Sequence, residues 1–93
     1  MTAARALREA VPRLRPGVRR RYDRVRGTDV VLFPEGVLIL NETAAAVLAR
    51  CDGATTVAEI ATRLAGDFDG VRVADVADLV DRLVRRGVVD VDD

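Results

Sequence analysis

Residues 30–42, with the sequence VVLFPEGVLILNE, contain the change from strand to helix that decides the fold. Two apolar runs of strand length, residues 30–33 and 37–40, flank the segment PEG at residues 34–36. A three-residue connection that contains glycine predicts a β-hairpin. Asn41 is a favoured helix N-cap, and apolar residues at helical spacing follow it. The sequence therefore predicts a sheet that ends near residue 40 and a helical half that begins at Asn41.

The segment before the hairpin predicts one further strand and a tail. Val18, Arg20 and Tyr22 alternate with Arg19, Arg21 and Asp23. We therefore expect Val18 and Tyr22 to face inward on a strand. A turn at residues 26–29 would join this strand to the hairpin and complete a three-stranded meander. A helix within residues 1–15 would be too short to be stable alone, so we expect a flexible tail there. A single folded domain over residues 16–93 would follow.

Three helices are predicted after the meander. The first follows Asn41, and the second begins with a capping box formed by Thr56 and Glu59. The third covers about residues 73–86, where apolar residues recur at helical spacing, and residues 88–91 add a short strand. We therefore expect an α+β fold that is winged helix-turn-helix-like, in which a three-stranded antiparallel N-terminal sheet is followed by three helices.

The composition argues against an enzyme. The chain has no histidine, serine, lysine, tryptophan or glutamine, and its single cysteine, Cys51, has no histidine to activate it. We therefore expect no catalytic residue, no metal site and no cofactor, and a carrier protein that needs a serine for its prosthetic arm is excluded. Because one cysteine cannot form an internal disulfide and no apolar run approaches the roughly 20 residues of a membrane span, we expect a cytoplasmic protein without a membrane partner.

Basic residues are concentrated near the N-terminus and acidic residues in the rest of the chain. Residues 1–26 carry a net charge of +7 and the remainder carries −7. A winged helix fold would make DNA binding the obvious alternative, with the third helix in the major groove. That helix presents Asp75, Asp78 and Asp81 in its first half, and these carboxylates would repel phosphates. We therefore expect no nucleic-acid partner, and DNA binding is kept as the less favoured alternative.

The strand predicted at residues 37–40 lies at one end of the meander and contains neither proline nor charge, the usual protections of a sheet edge. Such an edge is a candidate docking site for an extended peptide. Main-chain pairing alone does not offset the cost of ordering a peptide, so the affinity would come from apolar peptide side chains in a groove beside the third helix. The candidate lining of that groove is Leu38, Leu40, Val76, Leu79 and Leu83.

Three separated segments, residues 12–23, 31–38 and 51–60, together resemble the PqqD family of pyrroloquinoline quinone (PQQ) biosynthesis. The resemblance implies a peptide chaperone that binds a PqqA-like precursor as an added strand and presents it to a PqqE-like radical S-adenosylmethionine (radical SAM) enzyme. A precursor-recognition element of another modified-peptide pathway is the alternative within this class. Monomer and strand-exchanged dimer both remain open.

The family's peptide site, placed by position on this chain, covers the third strand and the third helix. The peptide-binding residues that the resemblance implies are Val37, Leu38, Ile39, Leu40, Asn41, Asp75, Val76, Leu79, Arg82 and Leu83.

Overall fold

The structure is a computed structural model that describes residues 7–92. It contains three helices and two antiparallel sheets, so the predicted α+β class is confirmed. The elements in chain order are β1 (Val11–Leu14), β2 (Arg19–Asp23), β3 (Thr28–Phe33), β4 (Gly36–Ile39), α1 (Glu42–Ala49), α2 (Val57–Leu64), α3 (Val73–Arg85) and β5 (Val89–Asp92).

The central sheet has the strand order β2-β3-β4, as the meander prediction required. Phe33 pairs with Gly36, so the hairpin loop has the two residues Pro34 and Glu35 and not the three that the sequence predicted. The turn between β2 and β3 is closed by Asp23, whose Oδ1 accepts hydrogen bonds from the N–H groups of Val25 and Arg26. Gly27 ends this turn with a φ of 69°, a left-handed conformation that favours glycine.

The prediction of a flexible tail over residues 1–15 is wrong for residues 11–14. These residues form β1, which pairs antiparallel with β5 in a second sheet, so the three-stranded sheet is not the first β element of the chain. Pro12 is fully buried in this strand, and Ala10 just before it is 2% exposed. The sequence signal was lost because Pro12 suggested a break. The Pro12 carbonyl accepts from the Gly53 N–H at 3.0 Å, on the side of β1 away from β5, so the nitrogen of Pro12 also faces away from β5 and the missing N–H removes no hydrogen bond between β1 and β5. Residues 1–6 lie outside the described residues.

The helices pack on one face of the central sheet. Val31 and Leu40 point into this face and join the core formed by the three helices. Val18 is also buried there, as predicted, but Tyr22 is 63% exposed, so the prediction that it faces inward into the core is wrong. Tyr22 shares its face with Val18 by alternation, but it lies further along the edge strand β2, where no core residue covers it.

The first two helices begin at the side-chain N-caps that the sequence predicted, Asn41 and Thr56. The side chain of Asn41 accepts a hydrogen bond from the Ala44 N–H at 2.8 Å at the start of α1. The capping box of α2 is complete, because Thr56 Oγ1 accepts from the Glu59 N–H and Glu59 Oε1 accepts from the Thr56 N–H. Within residues 7–92, none of the helices has the length and apolar character that crossing a membrane requires.

Candidate functional site: the β4 edge and the adjoining cleft

β4 is an open edge within the part of the chain that the structure describes, since its sheet partner there is β3 alone. The Leu40 N–H donates to the Asp29 carbonyl at 3.1 Å, so the main chain of residue 40 points toward β3. Antiparallel pairing alternates along a strand, which directs Leu38 toward β3 as well and turns the N–H and C=O groups of Val37 and Ile39 outward. Four main-chain groups are therefore available to an added strand.

A cleft of about 210 Å³ lies between this strand and α3. Its apolar walls come from Leu38 on the strand and from Leu79 and Leu83 on the helix. The cleft is smaller than the roughly 300 to 1,000 Å³ that pockets for small molecules usually occupy. Its size suits one or two side chains of a partner and not a cofactor.

Most of the predicted site residues meet at this cleft, and three do not. The residues brought together are Leu38, Ile39, Leu40, Asn41, Leu79, Arg82 and Leu83. Val37 lies on the edge but its side chain is 59% exposed on the opposite face of the sheet. Val76 is only 2% exposed because it packs in the core. Asp75 caps α3, where its carboxylate accepts from the Arg72 N–H at 3.2 Å, away from the cleft lining.

Two residues of the lining were missed from the sequence, Ala44 and Arg86. Arg86 stands one helical turn beyond Arg82, so continuing the i,i+4 spacing past the end of the apolar stripe would have found it. Ala44 lies on α1, and only the packing of α1 against the sheet brings it to the cleft. Neither arginine forms an ion pair among the residues described, so one end of an apolar cleft carries two unpaired cations.

A wider depression lies at the other edge of the sheet, between β2 and α1. Arg20 and Tyr22 line it from the strand, Ala46 and Ala49 from α1, and Phe68 from the loop after α2. β2 carries three consecutive arginines, whereas β4 carries no charge. Charge on an edge strand is a usual protection against added strands, so β4 is the candidate docking edge although the depression at β2 is larger.

Cys51 is unsuited to chemistry. Burial, together with a smaller contribution from the neighbouring Asp52 carboxylate, raises the pKa of its thiol to about 12. The S–H donates to the Val47 carbonyl at 3.4 Å, so the thiol packs as a small apolar group. The described residues contain no group of three or more histidine, cysteine, aspartate or glutamate side chains that could hold a metal ion.

A small α+β domain with an uncharged open strand beside an apolar cleft is an arrangement typical of domains that bind an extended peptide by strand addition. The family model "Coenzyme PQQ synthesis protein D (PqqD)" matches residues 30–89 of this chain. The chain belongs to the PqqD family.

Named relatives agree with this assignment. The PqqA binding protein of Xanthomonas oryzae pv. oryzae is 47% identical over 72 residues, which are 77% of this chain and 74% of the relative. The PqqA binding protein of Xanthomonas euvesicatoria is 43% identical over 79 residues, covering 82% of this chain and 86% of the relative.

A solved structure also matches. It is the solution NMR structure of the PqqD truncation of Methylobacterium extorquens PqqCD, described as a functional and stand-alone recognition element for ribosomally synthesised and post-translationally modified peptides. The TM-score is 0.68 at 38% identity, with 86% of this chain and 88% of that chain covered.

Proposed function

We propose that this chain is a non-catalytic peptide chaperone of pyrroloquinoline quinone biosynthesis, which binds a PqqA-like precursor peptide and presents it to a PqqE-like radical SAM enzyme. Membership of the PqqD family and relatives named for PqqA binding support the precursor as ligand. We propose that the chain acts in the cytoplasm together with these partners. The order of the central sheet and the three helices supports a winged-helix-like description of the domain.

The observation that carries the proposal is the open β4 edge directly beside the apolar cleft. Four main-chain hydrogen bonds to Val37 and Ile39 would contribute about 1 kcal/mol each, whereas ordering four peptide residues costs about 1 to 2 kcal/mol per residue. Pairing alone therefore lies between neutral and about 4 kcal/mol unfavourable. Burial of one or two apolar peptide side chains against Leu79 and Leu83 adds roughly 2 to 3 kcal/mol each, and this supplies the affinity.

The charges at the cleft add a preference about the peptide. Arg82 and Arg86 lie at one end of the lining without ion pairs in the described part of the chain. A peptide with a carboxylate near its apolar anchor would pair with them, whereas a basic residue at that position would be repelled. We therefore propose that the bound segment carries an acidic side chain next to one or two apolar side chains.

Calorimetric titration with a synthetic PqqA-type precursor tests the proposal. Leu79→Gln removes an apolar wall of the cleft and keeps a good helix former, so we expect the affinity to fall by about 2 kcal/mol, or about 30-fold. Val25→Gln is the matched control because Val25 is 96% exposed in the turn after β2, and we expect affinity within about twofold of the unaltered protein. No binding by the unaltered protein, or equal binding by the Leu79 variant, would count against the proposal.

A further inference from the structure

The outer face of the central sheet, opposite the helices, carries two cross-strand rows of side chains. One row runs from Arg21 on β2 through Val30 on β3 to Ile39 on β4. The second runs from Arg19 through Leu32 to Val37. Each row therefore begins with a cation at the β2 edge and ends with an apolar side chain at the open β4 edge.

The two ends of these rows are accessible. Ile39 is 55% exposed and Val37 is 59% exposed, and they are among the few large apolar side chains that the described residues leave exposed. Arg19 and Arg21 are exposed and form no ion pair or hydrogen bond with the described residues. Val30 in the middle of the first row is 6% exposed, and Leu32 in the middle of the second row is half-buried.

The charge of this face limits its partner. Two unpaired guanidinium groups attract carboxylates and repel basic surfaces. Burial of the exposed apolar side chains by a partner is favourable. The complementary surface is therefore one that places carboxylates opposite β2 and apolar side chains opposite β4.

The position of the face relative to the peptide site identifies which partner this is. A precursor strand added to β4 would continue both rows, because alternate peptide side chains stand on the same outer face beside Val37 and Ile39. A protein that docks on this face therefore contacts the carrier and its bound peptide together. The modifying enzyme is the partner that has to reach both.

We propose that the two-row outer face, from Arg19 and Arg21 to Val37 and Ile39, is the docking surface for an acidic and apolar patch of the PqqE-type enzyme. The proposal rests on the proposed function, since it assigns a surface to the second partner of the same chaperone. Ile39 is the one residue of the four that also lines the cleft, and the side chains of both rows stand on the face of the sheet opposite that of Leu38.

The experiment measures binding of the PqqE-type radical SAM enzyme from the same genome, by biolayer interferometry, at about 50 and 200 mM salt. The test variant is Arg19→Glu/Arg21→Glu, and the matched control with the same charge change is Arg63→Glu/Arg72→Glu, two exposed arginines outside the sheet. We expect at least about tenfold weaker enzyme binding for the test variant at low salt and a change within about twofold for the control. Arg19→Gln/Arg21→Gln replaces the test variant if circular dichroism shows that it is unfolded.

A second variant separates the apolar ends of the rows from the charges. Val37→Thr/Ile39→Thr keeps β-branched residues on the strand and should weaken binding of the enzyme at least about fivefold when no precursor is present. Loss of precursor affinity with normal enzyme binding would instead show that the peptide alone covers these side chains, and this would overturn the proposal.

The outcomes also distinguish this proposal from the proposed function. If the unaltered protein fails to bind the precursor, the proposed function is wrong. If the precursor binds normally and the enzyme binds the charge-reversed variant as it binds the unaltered protein, the outer face is not the docking surface. Retention of duplex DNA that disappears in the charge-reversed variant would assign Arg19 and Arg21 to nucleic acid, and it too would overturn the proposal.

Discussion

Replacement of Ile39 by proline tests the strand-addition mechanism by removing a single main-chain N–H group. The Leu40 N–H donates to the Asp29 carbonyl, and the alternation of antiparallel pairing then turns the N–H of residue 39 away from β3. Proline at residue 39 therefore removes an N–H that bonds to nothing in the sheet, and prolines on edge strands are tolerated in that orientation. We expect the free energy of unfolding to change by less than about 1 kcal/mol.

The effect of Ile39→Pro on peptide binding is larger. One main-chain hydrogen bond of about 1 kcal/mol is lost, and the proline ring holds the incoming strand away from the neighbouring carbonyl, so we expect a total loss of about 2 kcal/mol. This corresponds to an increase in Kd of about 30-fold. Ile39→Thr is the control, since it changes the side chain and keeps the N–H, and its Kd for the precursor should stay within about threefold.

Leu38→Pro gives the opposite result by the same reasoning. Its N–H points toward β3, where Leu38 pairs with the fully buried Val31, so proline removes a ladder hydrogen bond and leaves a carbonyl of β3 unpaired. We expect a loss of stability of about 3 kcal/mol. Thermal unfolding by circular dichroism and calorimetric titration measure both quantities. A folded Ile39→Pro variant with unchanged Kd would refute strand addition at β4, and equal destabilisation at both positions would refute the assigned alternation.

Four further predictions concern the fold. Deletion of residues 1–15 should lower the free energy of unfolding in urea by more than about 2 kcal/mol, because buried apolar side chains and the partner of β5 are lost; an unchanged midpoint would contradict this. Thr56→Ala breaks the capping box and should cost about 1 kcal/mol, seen as a fall in Tm of about 4 to 8 °C. A hydrogen bond from the Thr56 N–H lowers the pKa of Glu59 in the folded protein. The stabilisation by the Glu59 carboxylate is therefore present above the unfolded pKa and is lost as pH falls through the lower folded pKa. The Glu59→Gln variant should lose less stability than the unaltered protein between about pH 5 and pH 3. Cys51 should react with a thiol reagent at about pH 8 only after unfolding, because burial raises its pKa to about 12, and rapid labelling of the folded protein would contradict its burial.

Local signals in the sequence were sufficient for the parts of the fold that depend on neighbouring residues. The hairpin, the N-cap Asn41 and the capping box at Thr56 were all predicted, since each depends on residues within a few positions of one another. The tail prediction was wrong because β1 gains its stability from β5, about 75 residues further along the chain. No pattern within residues 1–15 contains that information.

The candidate site shows the same division. The uncharged strand at residues 37–40 and the apolar stripe of α3 are visible in the sequence by themselves, and they were sufficient to predict which two elements meet. Only the tertiary structure decided which side chains line the cleft: it buried Val76 in the core, left Asp75 at a helix cap and added Ala44 and Arg86. The physical reason is that hydrophobic periodicity defines the apolar side of a helix, whereas the packing of that helix against the sheet divides the same side between the core and the open cleft.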